Sequence, residues 1–188
     1  MHRILVFASG NGSNALNLID YFGKGDFASV VAVFSNKQSA GVVQKAKDRK
    51  VDVHCFNRHD FYDSCNVIEL VESYKPDLIV LAGFLWLVPE EFINAFEGKI
   101  INLHPSLLPK FGGKGMYGRR VHEAVLEAGE KETGISVHLV NNEFDKGELI
   151  YQDKFTIFGN ETVEEIESRI HELEHRGLPL AVEKFLGK

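Results

Sequence analysis

The chain has 188 residues, of which 44% are hydrophobic and 26% are charged, and its formal net charge is −6 at pH 7. This composition predicts a single globular domain spanning residues 1–188, and the acidic balance argues against a nucleic-acid-binding protein. No apolar run is long enough to cross a bilayer, no signal peptide is recognisable, and the two cysteines, Cys55 and Cys65, form no disulfide framework. We therefore expect a cytoplasmic protein without a membrane partner.

The first half of the chain alternates strand-like and helix-like segments. Apolar, β-rich runs predict strands at residues 3–8, 29–34, 52–56 and 78–83. Amphipathic runs predict helices from residue 16, over 41–50 and within 58–74. This alternation predicts an α/β fold with a doubly wound, mostly parallel, Rossmann-like sheet.

A glycine-rich turn, residues 9–15, follows the first predicted strand. Its Gly-x-Gly-x-x-Ala pattern formally fits a dinucleotide-binding fingerprint, but the second strand ends in residues 35–37 without the acid that binds ribose. We therefore expect a single phosphate on Gly12, Ser13 and Asn14, at a helix N-terminus. The alternative is a plain tight turn with Ser13 or Asn14 as the helix N-cap.

An apolar, aromatic loop, residues 84–89, follows the predicted strand over 78–83. Open α/β sheets bind ligands beyond the carboxyl ends of their strands, and an apolar loop there suits a flat heterocycle. The alternative is that Phe84, Leu85 and Leu87 only pack a helix onto the sheet.

A buried strand is predicted over residues 99–103, and two polar side chains, Asn102 and His104, lie at its end. The two lie two residues apart, so on a strand they face the same way, and Pro105 then stops the strand. Such an amide and imidazole suit acyl transfer, with Asn102 donating to an oxyanion and His104 moving protons near neutral pH. The alternative is a structural strand end in which turn N–H groups satisfy both side chains.

The remaining segments predict an antiparallel C-terminal hairpin and a long C-terminal helix. The glycines of residues 111–118 indicate mobility or close backbone approach. The predicted elements are a helix at 119–128, strands at 133–140 and 148–158 around a turn that carries Asp145, and a helix at 161–185. We expect Gly177 and Pro179 to bend or interrupt that last helix.

Residues 171–175 form a His-Glu-x-x-His pattern near the C-terminus. Two histidines four residues apart on a helix can both bind Zn²⁺, but a zinc site needs a further ligand and none is evident. Zinc therefore stays an alternative from the residues alone.

Together these segments resemble the phosphoribosylglycinamide formyltransferases, the folate-dependent enzymes of purine (IMP) synthesis. The resemblance runs nearly end to end, and the order and spacing of its motifs favour the catalytic interpretation of Asn102 and His104. The matching segments are residues 9–14, 33–36, 81–84, the Asn-x-His-Pro-Ser-Leu-Leu-Pro signature at 102–109, residues 134–138, and Asp145-x-Gly147.

The resemblance implies that the amine of glycinamide ribonucleotide attacks the formyl carbon of the co-substrate 10-formyltetrahydrofolate, without a metal. Asn102 and protonated His104 would stabilise the oxyanion. Asp145 would hold His104 protonated and, through water, help to move the amine proton to the leaving folate nitrogen.

The resemblance also implies the binding residues. Gly12, Ser13 and Asn14 would bind the ribonucleotide phosphate, and Glu174 would contact the glycinamide end, which removes the appeal of zinc. The folate pocket and the supporting strand would be formed by Leu85, Trp86, Leu87, Val88, Ser136 and His138. The implied partners are small molecules only, and the protein would be a monomer or a homodimer.

The closest alternative is formyltetrahydrofolate deformylase, a hydrolase with a similar Asn/His/Asp set. It normally carries an extra N-terminal domain and needs no ribonucleotide phosphate loop. Formyltransferases for methionyl-tRNA or sugar nucleotides usually carry a further C-terminal domain. The chain also departs from the familiar enzymes at Trp86, where a basic residue is common, and in the glycine-rich loop at residues 111–118.

Overall fold

The computed structural model describes all residues from Met1 to Lys188. The chain forms two compact units, Met1–Ile101 and Asn102–Lys188. The expectation of one domain stays a prediction, and each unit is described by itself below.

The chain forms seven strands and seven helices, which alternate except where α4 follows α3 and β7 follows β6. The strands are β1 (His2–Phe7), β2 (Ala28–Ser35), β3 (Asp52–Cys55), β4 (Leu78–Leu81), β5 (Ile100–His104), β6 (Glu132–Leu139) and β7 (Leu149–Thr156). The helices are α1 (Ser13–Phe22), α2 (Gly41–Asp48), α3 (Arg58–Tyr62), α4 (Asn66–Ser73), α5 (Glu90–Ala95), α6 (Arg119–Glu127) and α7 (Val163–Leu186). None of these helices combines the length and the apolar character needed to span a bilayer.

The first unit is built on parallel strands in the order β3-β2-β1-β4, with β5 beside β4. All four residues of β4 are buried, as expected for a parallel sheet covered by helices on both faces. Because β1 and β4 are parallel neighbours, the segments that follow them leave the same edge of the sheet. The glycine-rich turn and the apolar loop at residues 84–89 therefore start side by side.

Phe7, at the end of β1, is the centre of an aromatic cluster in the first unit. Its ring is fully buried and stacks on Phe34 of β2 at a centroid distance of 4.9 Å. The same ring lies edge-on to Phe84, at the start of the apolar loop, at 5.5 Å. The cluster thus joins the core of the sheet to the base of a candidate binding loop.

The second unit contains the end of β5, the β6–β7 hairpin, α6 and α7. Strands β6 and β7 pair antiparallel from Glu132↔Thr156 to His138↔Leu149. Helix α7 packs closely on this hairpin at Gly177, where an added Cβ would lie 2.7 Å from the Tyr151 ring.

The predicted fold class is confirmed: the sheet is mixed and mostly parallel, with an antiparallel C-terminal hairpin and a long C-terminal helix. Of the two outcomes expected at Gly177 and Pro179, an interruption is wrong, because α7 continues through both residues, and a bend stays a prediction. Both residues are buried, so packing on the hairpin offsets the backbone hydrogen bond that proline cannot make. Two further helices, α3 and α5, were not separately predicted, since each has no more than six residues and shows little periodicity.

We expect Phe7→Ala to lower the free energy of unfolding by about 3–5 kcal/mol, because it leaves a cavity at the centre of the aromatic cluster. The matched control is Phe158→Ala, since Phe158 is 78% exposed. That control should change stability by no more than about 0.5 kcal/mol. Urea unfolding of both variants measures the difference, and equal losses would contradict the assigned role of Phe7.

Candidate functional site

Asn102, His104 and Asp145 come together within the second unit. The His104 Nδ1 atom lies 3.7 Å from Asp145 Oδ2, and the Asn102 Nδ2 atom lies 3.4 Å from Asp145 Oδ1. Both distances exceed an ideal hydrogen bond, so one carboxylate faces the amide and the imidazole loosely. Strand β5 runs to His104, so both side chains project from regular β structure, as the two-residue spacing predicts.

His104 is almost fully buried, and one neighbour determines its neutral tautomer. Its Nε2 atom lies 2.8 Å from the carbonyl oxygen of Phe111, which can only accept, so Nε2 carries the proton. In the neutral ring Nδ1 is then unprotonated and faces Asp145. A second proton would enter between the ring and the carboxylate.

Burial lowers the pKa of His104, and this effect exceeds the raising effects of the Asp145 charge and of the Phe111 carbonyl. The resemblance implies a His104 that Asp145 holds protonated. Asp145 acts in that direction, but desolvation of the ring has the larger effect.

Asp145 keeps its negative charge despite partial burial. Burial by itself acts to raise the pKa of Asp145, but the neighbouring His138 imidazole, the hydrogen bond from the Gly113 N–H and the nearby His104 imidazole lower it overall. The Gly113 N–H donates to Asp145 Oδ2 at 2.8 Å. Asp145 itself has a left-handed backbone with φ +52°, a conformation that aspartate tolerates better than most residues.

His138 orients the Asn102 amide. Its Nδ1 atom lies 2.8 Å from the carbonyl oxygen of Leu139, so Nδ1 carries the proton in the neutral ring. The Nε2 atom is then an acceptor, and Asn102 Nδ2 donates to it at 3.2 Å. The amide NH₂ group is thereby turned toward the imidazole and the Asp145 carboxylate.

Ser136 holds the segment that follows His104. Its hydroxyl donates to the carbonyl of Ser106 at 2.6 Å and accepts from the Leu108 N–H at 3.0 Å. The side chain of Gln152 completes this network by donating to Ser136 Oγ at 2.8 Å and to the Leu108 carbonyl at 3.0 Å. The sequence does not predict this role for Gln152, because nothing distinguishes it from the other polar residues of β7.

The glycine-rich loop supplies contacts that sequence reasoning missed. Phe111 provides the carbonyl that holds His104, and Gly113 provides the N–H that holds Asp145. At Gly112 an added Cβ would lie 2.5 Å from Leu108 Cδ2 and 3.2 Å from Asp145 Cβ. Close backbone approach, one of the two meanings expected for these glycines, therefore holds at this position.

The phosphate-binding residues predicted in the first unit lie at the start of α1. Gly12 is the N-cap, with φ +72° and no side-chain cap, so the alternative of Ser13 or Asn14 as N-cap is wrong. An added Cβ on Gly12 would lie 2.2 Å from Val42 Cγ2, so α2 packs directly on this turn. Ser13 is exposed, and Asn14 is buried in the first turn of the helix.

The predicted folate-binding residues differ in exposure. Leu85 and Leu87 are 53% and 55% exposed, whereas Val88 is buried and Trp86 is half-buried. Leucines that only packed a helix onto the sheet would be buried, so the exposure of Leu85 and Leu87 argues against that alternative. Arg58 lies over the Trp86 ring at 5.2 Å, a cation–π contact.

The His-Glu-x-x-His segment does not come together as a ligand set. His171 and His175 are exposed on α7, whereas Glu174 is buried. No group of three or more His, Cys, Asp or Glu side chains in the protein could hold a metal ion.

Comparison with known proteins points to one family. Residues 2–182 match the model of the formyl transferase family. The chain is 37% identical to the phosphoribosylglycinamide formyltransferase of Haemophilus influenzae, over 98% of this chain and 87% of that protein. It is 36% identical to the chloroplastic phosphoribosylglycinamide formyltransferase of Arabidopsis thaliana over 93% of this chain, but it spans only 62% of that relative. The crystal structure of the Brucella melitensis phosphoribosylglycinamide formyltransferase superposes with a TM-score of 0.89 at 37% identity, covering 100% of this chain and 96% of that one.

We expect acid to destabilise the protein through His104. The pKa of His104 in the folded protein lies below the ordinary value of about 6.5 that holds in the unfolded chain. At a pH between these two pKa values, unfolding therefore takes up a proton. The contribution of neutral His104 to stability is then fully present above about pH 6.5 and is lost as the pH falls below that value. The contribution of Asp145 to stability is lost only below about pH 4. Melting temperatures between about pH 7.5 and about pH 5 should fall more steeply for the wild type than for His104→Gln. Parallel curves would show that His104 is not held neutral.

Proposed function

Because the chain belongs to the formyl transferase family, and within it to the phosphoribosylglycinamide formyltransferases, we propose that it transfers the formyl group of 10-formyltetrahydrofolate to the amine of glycinamide ribonucleotide. The observation that carries the proposal is the convergence of Asn102 and His104 on the Asp145 carboxylate. Nucleophilic attack on a formyl carbon needs a donor to the developing oxyanion and groups that transfer protons. The amide, the imidazole and the carboxylate can supply these functions.

The Asn102 amide is suited to stabilise negative charge on the formyl oxygen. Its contacts to His138 and Asp145 are long, at 3.2 Å and 3.4 Å, so a stronger acceptor can compete for its N–H groups. A donor directed at the developing oxyanion contributes most in a site that excludes water. We assign this role to Asn102, with His138 as the residue that keeps the amide oriented.

His104 and Asp145 are suited to the proton transfers. In the proposed reaction the amine nitrogen bonds to the formyl carbon, a tetrahedral intermediate forms, and the bond from that carbon to folate N10 then breaks. The amine loses one proton, and N10 gains one, through water beside Asp145. Negative charge on the oxygen favours the imidazolium form of His104 and opposes the effect of burial. The Nδ1–H of protonated His104 lies 3.7 Å from Asp145 Oδ2, too far for a good hydrogen bond, and would be the second donor to the formyl oxygen.

The proposed substrate contacts follow the family motifs. Backbone N–H groups at the start of α1 would bind the ribonucleotide phosphate through Gly12, Ser13 and Asn14, since helix N-termini favour anions. The folate heterocycle would lie on residues 85–88, where two leucines are exposed beside Trp86. The carboxylate of Glu174 would contact the glycinamide amine end.

Ser136 is proposed as a supporting residue that keeps the backbone after His104 in place, through its bonds to Ser106 and Leu108. We also propose that the protein works in the cytoplasm with small-molecule partners only. Cys55 and Cys65 are both free and exposed, which suits a reducing compartment. The chemistry proposed needs no metal.

An assay with the two substrates tests the function directly. The protein is mixed with 10-formyltetrahydrofolate, with and without glycinamide ribonucleotide, and tetrahydrofolate and formylated ribonucleotide are followed by mass spectrometry. Tetrahydrofolate that forms only when the ribonucleotide is present supports the transferase. Tetrahydrofolate that forms without it identifies a deformylase and contradicts the proposal.

We expect Asn102→Ala to lower kcat by about 10²–10³-fold, as typically found when one oxyanion donor is removed. His104→Ala and Asp145→Ala should lose most activity as well, while circular dichroism shows that all three variants are folded. Asn142→Ala is the matched control, because Asn142 is an exposed amide in the same turn as Asp145. Full activity in a folded His104 or Asp145 variant would overturn the mechanism.

A further inference from the structure

We propose that Ser9 is a positioning residue that couples the binding of the two substrates. The inference rests on the proposed function, in which residues 12–14 bind the ribonucleotide phosphate and residues 85–88 bind the folate. Ser9 lies two residues after the end of β1, at the base of the phosphate-binding turn. Its backbone is hydrogen-bonded to Gly83, just before the folate-binding loop, and its side chain is hydrogen-bonded to Leu85 within that loop.

The contacts of Ser9 with the folate loop come in a pair. The Ser9 N–H donates to the carbonyl of Gly83 at 3.1 Å, and the Leu85 N–H donates to Ser9 Oγ at 2.9 Å. Gly83 has a left-handed backbone with φ +69°. This conformation turns the chain so that the N–H of Leu85, two residues later, points at the Ser9 hydroxyl. Ser9 is only 3% exposed, so water does not readily replace its hydroxyl as the acceptor for the Leu85 N–H.

The turn on the phosphate-binding side of Ser9 packs closely on α2. The Gly10 carbonyl accepts from the Val42 N–H at 3.2 Å. Gly12 packs so closely on Val42 that no Cβ would fit. A displacement of this turn on phosphate binding is therefore transmitted along the chain to Ser9, because α2 leaves the intervening residues little room to absorb it.

The folate loop has a second anchor that does not involve the phosphate-binding turn. The Tyr62 hydroxyl donates to the Leu87 carbonyl at 2.8 Å, and the guanidinium of Arg58 lies over the Tyr62 ring at 5.1 Å. The loop is thus held at Leu85 by Ser9 and at Leu87 by Tyr62. Only the first of these two anchors connects it to the phosphate-binding turn.

This arrangement predicts reciprocal coupling. A ribonucleotide that orders the phosphate-binding turn also fixes Ser9 and the Leu85 amide, so the folate then binds to a loop that is already ordered. By linkage the folate must improve ribonucleotide binding by the same factor. Removing the Ser9 hydroxyl leaves only the backbone bond between Ser9 and Gly83, so it should reduce the coupling factor, beyond any loss of affinity for either ligand alone.

Isothermal titration calorimetry measures the coupling without catalysis, with tetrahydrofolate, which has no formyl group, and glycinamide ribonucleotide as ligands. In the wild type each ligand should tighten the Kd of the other by at least about fivefold, the lower end of typical coupling. In Ser9→Ala the coupling factor should fall below the wild-type value. The matched control is Tyr62→Phe, which should weaken tetrahydrofolate binding but keep the wild-type factor.

Two results would overturn the inference: a wild type without coupling, or a Ser9→Ala protein that binds both ligands with the wild-type factor. Failure of either ligand to bind the wild type would instead contradict the proposed function, so the two failures can be told apart. If Ser9→Ala does not fold, hydrogen exchange of the wild type gives the answer. The ribonucleotide alone should slow exchange at the Leu85 amide by several-fold, and an unchanged rate would overturn the coupling.

Discussion

The Asp145 carboxylate is the group on which the candidate site depends. A partly buried charge costs several kcal/mol unless hydrogen-bond donors and opposite charge surround it. Here the Gly113 N–H binds one oxygen, and Asn102 and His138 lie near the other. The need to satisfy this carboxylate explains why the glycine-rich loop packs so closely, since a side chain at Gly112 would meet Leu108 and Asp145.

Asp145 and burial have opposite effects on the pKa of His104. Burial favours the neutral imidazole, whereas Asp145 favours the charged ring, and burial has the larger effect. A histidine in this balance responds strongly to a new charge nearby. In the proposed reaction, negative charge on the formyl oxygen would be such a charge, and the protonation of His104 would respond to it. A surface histidine, already solvated in both forms, would respond much less.

The two candidate binding loops of the first unit depend on a different constraint, the adjacency of parallel strands. Strands β1 and β4 are hydrogen-bonded neighbours, so the turn after β1 and the loop after β4 begin at one edge. Ser9 joins them directly through Gly83 and Leu85. The sheet therefore places two loops of different chemistry, one polar and glycine-rich and one apolar and aromatic, within hydrogen-bonding distance of each other.

The fold class can be predicted from the sequence, because the alternation of apolar strands and amphipathic helices is a local property of the chain. The sequence also predicts that Asn102 and His104 face the same way, because side chains on a strand alternate with a period of two. The roles of Phe111 and Gly113 are visible only in the folded protein, since they act through backbone groups that every residue carries. The role of Gln152 is likewise visible only there, since its side chain contacts segments distant in the chain. The tertiary structure also decided the continuity of α7 through Pro179 and the lowered pKa of His104, because packing and desolvation exist only once the chain is folded.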